Sequence, residues 1–83
     1  MELKDTIELM TSEDYKDRFK AEFYQLVIRY KNLNRMLENW DNLEFTPICP
    51  KSTYDFQLRA MKDYITILKA RASFEHIELA EDI

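Results

Sequence analysis

The chain has no glycine, two prolines, one cysteine and one histidine in 83 residues. Tight β-turns usually need residues that tolerate positive φ, so a glycine-free chain points away from a sheet protein. The same lack removes any glycine loop that could cradle a phosphate, and with it the P-loop and dinucleotide-binding fingerprints. A single Cys49 excludes an internal disulfide, and Cys49 with a distant His76 does not make a structural zinc site. No apolar run approaches the roughly 18 residues that a membrane span requires. Met1-Glu2-Leu3-Lys4-Asp5 lacks the basic-then-apolar order of a secretory signal. A lone thiol without an export signal fits a reducing compartment, so a soluble intracellular protein is expected.

Charge constrains the partners. A net charge of −4 argues against general duplex nucleic-acid binding. Its distribution is uneven: residues 12–40 hold six Lys/Arg against five Asp/Glu, and residues 51–73 hold five against two. Glu75, Glu78, Glu81 and Asp82 make the last ten residues acidic. A helical body that is locally positive can hold a small anion although the whole molecule is acidic.

A single small domain, residues 1–83, is expected. The expected organisation is all-α: two long antiparallel helices forming a helical hairpin, preceded by a short N-terminal arm. The arm covers 1–11, the first helix 12–41, a proline-containing loop 42–51, the second helix 52–75 and an acidic, loosely held tail 76–83. Thr11-Ser12-Glu13-Asp14 reads as a helix start, with hydroxyls followed by acids in the first turn. Tyr15, Phe19, Leu26, Tyr30, Leu33, Leu37 and Trp40 mark one apolar stripe, widened by Phe23, Val27 and Ile28. Pro47 and Pro50 break the helix, and Ser52-x-x-Asp55 resembles a capping box for the next one.

At this size roughly 60–65% of the chain's surface can be buried, so the domain needs help to be stable. With disulfides and zinc excluded, self-association remains. The apolar arc is wider than one helix–helix seam, which also calls for further helices from other copies.

Gln57, Met61, Tyr64, Leu68 and Arg71 fall at steps of four, three, four and three, so an amide, a phenol and a guanidinium share an apolar face. Glu22, Leu26, Arg29, Leu33 and Met36 repeat the arrangement upstream. Polar groups half-buried on such faces are costly unless satisfied, which suggests another copy or an anionic ligand. Arg18, Arg29, Lys31, Arg35, Lys69 and Arg71 are interleaved with Tyr15, Tyr24, Tyr30 and Tyr64. Guanidinium forks match phosphate oxygens and phenol rings stack on bases, as a nucleotide site requires. The plainer reading is i,i+4 ion pairing and long stems lying over apolar surface. No nucleophile–base pair and no third carboxylate spaced for a metal is visible, so no catalytic residue, metal or cofactor is expected.

Tyr15-x-x-Arg18, Glu22-x-x-x-Leu26-x-x-Arg29-x-x-x-Leu33 and Gln57-x-x-Ala60-Met61-x-x-Tyr64-x-x-x-Leu68-x-x-Arg71 together resemble the anti-CBASS sponges, a family of small helical bacteriophage proteins. The resemblance covers about residues 12–72. It implies a homo-oligomer, typically a hexamer, in the cytoplasm of the infected bacterium. There it would hold cyclic di- or trinucleotide immune messengers without cleaving them. The family's base-stacking aromatic best matches Tyr15 and its phosphate-holding cation best matches Arg29, with Lys31 nearby. Arg18 joins this set, and Arg71 is a candidate phosphate contact in a separate interface pocket. The Pro47/Pro50 loop and the acidic tail have no counterpart in the resemblance. The alternative from a different class is a phage protein-interaction module that engages a host protein through its apolar face and acidic tail.

Overall fold

The computed structural model describes residues 1–80, all of them in helices or connecting segments, with no strand among them. A 3-10 turn, Leu3–Thr6, runs into a one-turn helix α1, Ile7–Met10, and two long helices follow: α2, Tyr15–Glu38, and α3, Lys51–Glu75. A second 3-10 turn, Trp40–Asn42, begins the connection between them. The body measures 42 × 24 × 20 Å, its long axis set by α2 and α3.

The start of α2 follows from local hydrogen bonding. Asp14, extended at ψ 123°, accepts from the Lys16 backbone N–H at 2.9 Å, which satisfies one of the free donors at the helix start. Ser12 donates to Asp17 at 2.8 Å and accepts from the Asp14 N–H at 3.1 Å, so the hydroxyl and acids of this segment lock the first turn. At the other end the Asn39 side chain donates to the Arg35 carbonyl at 2.8 Å and the chain tightens into the Trp40–Asn42 turn. The Trp40 and Tyr54 rings meet edge-on at 6.0 Å, holding the two ends of the connection together.

α3 starts differently from the expectation. Pro50 is its N-cap at φ −61° and ψ 145°, with no side-chain cap. Ser52 therefore lies inside the first turn, where its side chain cannot cap. Pro50 brings a preset φ, and the Thr53 N–H returns to the Pro50 carbonyl at 3.0 Å, so the first turn closes without the box.

The core gathers where α2 begins and α3 ends. Phe19, Phe23, Tyr24, Leu68, Ala72 and Ile77 form a buried cluster, with Leu9, Leu26, Val27, Ile65 and Leu79 packed against it. Along α2 the apolar residues return every three or four positions, which puts them on the side facing α3. Tyr15 meets Arg71, Glu22 meets Tyr64 and Trp40 meets Tyr54, so α3 runs backwards past α2. The N-terminal turn is tied to α2 through Thr6, 1% exposed, which donates to the Leu3 carbonyl at 2.7 Å and accepts from Gln25 at 2.9 Å.

The segment after α3 is docked as far as Ala80, against the expectation of a loose tail. His76 takes the left-handed conformation, φ 56° and ψ 44°. The Ile77 N–H then returns to the Ala72 carbonyl at 2.9 Å, the hydrogen bond of a Schellman cap. Ile77 enters the core cluster, and the Ala80 N–H donates to the Tyr24 hydroxyl at 3.1 Å. Burial of Ile77 and partial burial of Leu79 explain why a segment with acidic residues still packs. Residues 81–83, the rest of the expected tail, lie outside the described residues.

Candidate functional site

One edge of the α2–α3 groove carries a chain of polar contacts. Arg71 near the end of α3 donates from Nη2 to the Tyr15 hydroxyl at 2.8 Å, and from Nε to Glu75, one turn on, at 3.4 Å. Its guanidinium carbon sits 4.9 Å from the centroid of the Phe19 ring, a cation–π distance. The Tyr15 and Phe19 rings are 6.3 Å apart and tilted by 52°. Phe19 is buried while Tyr15 remains 45% exposed, so the phenol ring is anchored below and open to solvent above. The Tyr15 hydrogen bond leads the effects that raise the Arg71 pKa, with Glu75 adding to it and desolvation opposing. Arg71 is a permanent cation held in place by an aromatic residue, with part of its fork still accessible.

Further along the same edge the Tyr64 hydroxyl donates to Glu22. This hydrogen bond, followed by desolvation and the Glu22 charge, raises the Tyr64 pKa, and Arg71 pulls it the other way. The two interhelical pairs thus sit within electrostatic reach of each other. The opposite edge holds a cavity of about 460 Å³ walled by Phe23, Val27, Tyr30 and Ile65, with Lys31, Lys69 and Leu79 completing it.

Tyr15 and Arg71 are brought into direct contact. Arg18 lies one turn after Tyr15 and donates to the Ser12 carbonyl at 2.9 Å, at the same end of the molecule. Arg29 is exposed on the face of α2 that carries Tyr15, but fourteen residues away, about 21 Å along the axis. Lys31 is on the other edge, in the wall of the cavity with Lys69. A single chain therefore does not bring Tyr15 and Arg29 together, nor Arg71 and Lys31. Tyr24 is buried, its hydroxyl bonded to the Ala80 backbone, so it is not available for stacking.

The face Gln57, Met61, Tyr64, Leu68 and Arg71 is less buried than its spacing implies. Leu68 is 0% exposed, whereas Gln57, Tyr64 and Arg71 are exposed. Arg71 is satisfied within the chain by Tyr15 and Glu75, so burial of this face does not by itself demand a partner. Phe19 and Glu75 are parts of the site that sequence spacing alone did not single out. Each lies four residues from a residue that was, Phe19 from Tyr15 and Glu75 from Arg71, which is the neighbour relation of a helix surface.

No group of three or more potential metal ligands occurs among the described residues, and none of their helices is long and apolar enough to cross a membrane. No curated protein and no solved structure matches the chain. The Sequestin family model matches residues 13–74, a span that takes in Tyr15, the whole of α2, and α3 through Arg71 to Phe74. Membership implies sequestration of a ligand rather than its turnover. The chain belongs to the Sequestin family, the sponge family that its two helical motifs resemble.

Proposed function

We propose that this protein is a phage anti-defence sponge that binds cyclic di- or trinucleotide immune messengers in the cytoplasm of the infected bacterium and withholds them intact, blocking CBASS-type signalling. Its working unit is a helical hairpin assembled with further copies, as a hexamer in the manner of the family. The observation that carries the reading is the Tyr15–Arg71 pair. A half-exposed phenol ring fixed on Phe19 offers a stacking platform, and the guanidinium bonded to its hydroxyl offers charge-assisted donors to a phosphate. Arg18 adds a second cation at the same end. Arg29 and Lys31 act on ligand held between protomers, since one chain keeps them apart from Tyr15 and Arg71. Nothing in this arrangement requires an attacking group, because the ligand is held rather than cleaved.

The test is thermal denaturation of the full chain against a panel of cyclic di- and trinucleotides. Ligand at 100 times its dissociation constant adds about 2.7 kcal/mol, a readily measured shift. Tyr15→Ala and Arg71→Ala should each weaken binding at least tenfold while leaving the mass in solution unchanged. A panel with no shift for any member would overturn the reading and favour the protein-interaction alternative. Unchanged affinity in both variants would overturn the site.

A further inference from the structure

The edge of the α2–α3 pair away from Tyr15 and Arg71 holds the cavity of about 460 Å³. Small-molecule sites usually span ~300–1,000 Å³, with apolar walls and a few placed polar groups. Here Phe23 and Val27 of α2, Ile65 of α3 and Leu79 of the returning segment form the walls. All four belong to the core cluster or pack against it, so the walls are held by the fold. The bond from the Ala80 N–H to the Tyr24 hydroxyl keeps the returning segment in place as one of them. Among the described residues, no carboxylate, amide or guanidinium side chain lines the cavity. Its polar side-chain groups are the Tyr30 hydroxyl and the ammoniums of Lys31 and Lys69.

That set of groups selects the occupant. A nucleotide base presents donors and acceptors along its edge, and walls of this kind would leave them unpaired, at a cost in affinity. An alkyl chain has no polar atom to satisfy and gains from every methylene withdrawn from water. Charge fixes the other end of the ligand. Lys69 makes no ion pair or hydrogen bond among the described residues. Counted from the Tyr15–Arg71 and Glu22–Tyr64 contacts, it stands level with the first turn of α2, ahead of Phe23. Phe23, Val27 and Tyr30 then follow in succession along α2, a run of about 10 Å. A compact ammonium at one end of an apolar trough of that length calls for a carboxylate that carries a medium alkyl chain.

We propose that this cavity binds the anion of a medium-chain fatty acid, with its carboxylate on Lys69 and its chain running along Phe23, Val27 and Ile65, against Leu79, towards Tyr30. The site is separate from the Tyr15–Arg71 pair on the opposite edge and does not depend on the function proposed above. Because Leu79 and Ala80 form part of the wall, an occupant also holds the returning segment against α2, and ligand and segment stabilise each other.

Isothermal titration calorimetry of the full chain with hexanoate, octanoate and decanoate tests the site. Affinity should rise about tenfold for every two carbons added, since each buried methylene leaves water. No binding of decanoate, the result if a second copy of the chain fills the cavity, would overturn the proposal, and so would equal binding along the series. Lys69→Glu should weaken decanoate binding at least tenfold, whereas Lys69→Arg should keep it. Lys69 is exposed, so neither change disturbs the core, and unchanged affinity in Lys69→Glu would overturn the head-group assignment. Decylammonium, the same chain with the opposite charge, should bind at least tenfold more weakly than decanoate; equal affinity would overturn that assignment too. Val27→Phe, which fills the trough, should abolish binding with helix content unchanged by circular dichroism. Retained affinity there would put the chain elsewhere and overturn the site. Tyr15→Ala should leave the decanoate constant unchanged, and a tenfold loss would move the ligand to the Tyr15–Arg71 site and overturn the separate one.

Discussion

Where α2 begins and α3 ends, four segments converge: the N-terminal turn, both long helices and the returning segment from Ile77 to Ala80. There Phe19, Phe23, Tyr24, Leu68, Ala72 and Ile77 are buried together. At the opposite end only the two helices and the proline loop meet, Leu37 is the one buried residue of α2 beyond Ile28 among the described residues, and Phe45, Ile48 and Phe56 stay exposed. Both ends are built from amphipathic helix of similar composition. What separates them is the number of neighbouring segments that can cover an apolar face. The Tyr15–Arg71 pair sits at the well-packed end, on a rigid support, which suits a preformed binding site.

The sharpest way to break this comparison is to hollow out each end in turn. Leu68→Ala should cost about 3 kcal/mol, since the side chain is fully enclosed, whereas Leu58→Ala, only partly buried towards the other end, should cost about 1 kcal/mol. Urea denaturation of both variants measures the difference, and equal costs would erase the distinction between the ends. Ile77→Ala, which loosens the returning segment from the core, should cost about 2 kcal/mol in the same assay. A negligible cost would mean that residues 77–80 contribute nothing to that end.

Two smaller effects sharpen the picture. His76→Gly should stabilise by about 1 kcal/mol, because glycine takes the left-handed conformation without a steric penalty. A destabilised variant would show that the turn at His76 is not the strained point. The smallest effect is in alkali. The hydrogen bond to Glu22 raises the Tyr64 pKa above its ordinary value near 10.0, so the folded state holds that proton more tightly than the unfolded chain does. The stability from this pair is fully present below the ordinary pKa and is lost as the pH climbs through the raised one. Tyr64→Phe should flatten the loss of stability above about pH 10 relative to the parent chain. An identical alkaline slope in both would contradict the Tyr64–Glu22 contact.

The two long helices are legible in the sequence because everything local agrees. Glycine is absent, Ser12 and Asp14 stand at a helix start, apolar residues recur at helical spacing, and prolines interrupt once. The docked segment after α3 is hidden by the same lack of glycine. A reversal is ordinarily announced by glycine, and His76, which takes positive φ more often than most residues but far less readily than glycine, is only a weak signal. The start of α3 is obscured for a related reason: Ser52 and Asp55 look like a cap, yet Pro50 already supplies the preset geometry. Of the site, Tyr15 and Arg71 are visible as residue types, but their contact spans 56 positions and depends on the register of two helices. Periodicity names the faces and leaves the register open. Apolar residues occur on more than one side of α3, and only the structure shows that the side carrying Ile65, Leu68 and Ala72 is the one turned towards α2.

Retention and release of ligand test the central claim most directly. The full chain is incubated with a matched cyclic di- or trinucleotide, freed of unbound material by gel filtration, heat-denatured, and the released small molecules are identified by mass spectrometry. The account predicts that the nucleotide co-elutes in a fixed ratio to protein and is recovered chemically unchanged. Recovery of a linear or shortened product, or the absence of any nucleotide in the protein fraction, would contradict it.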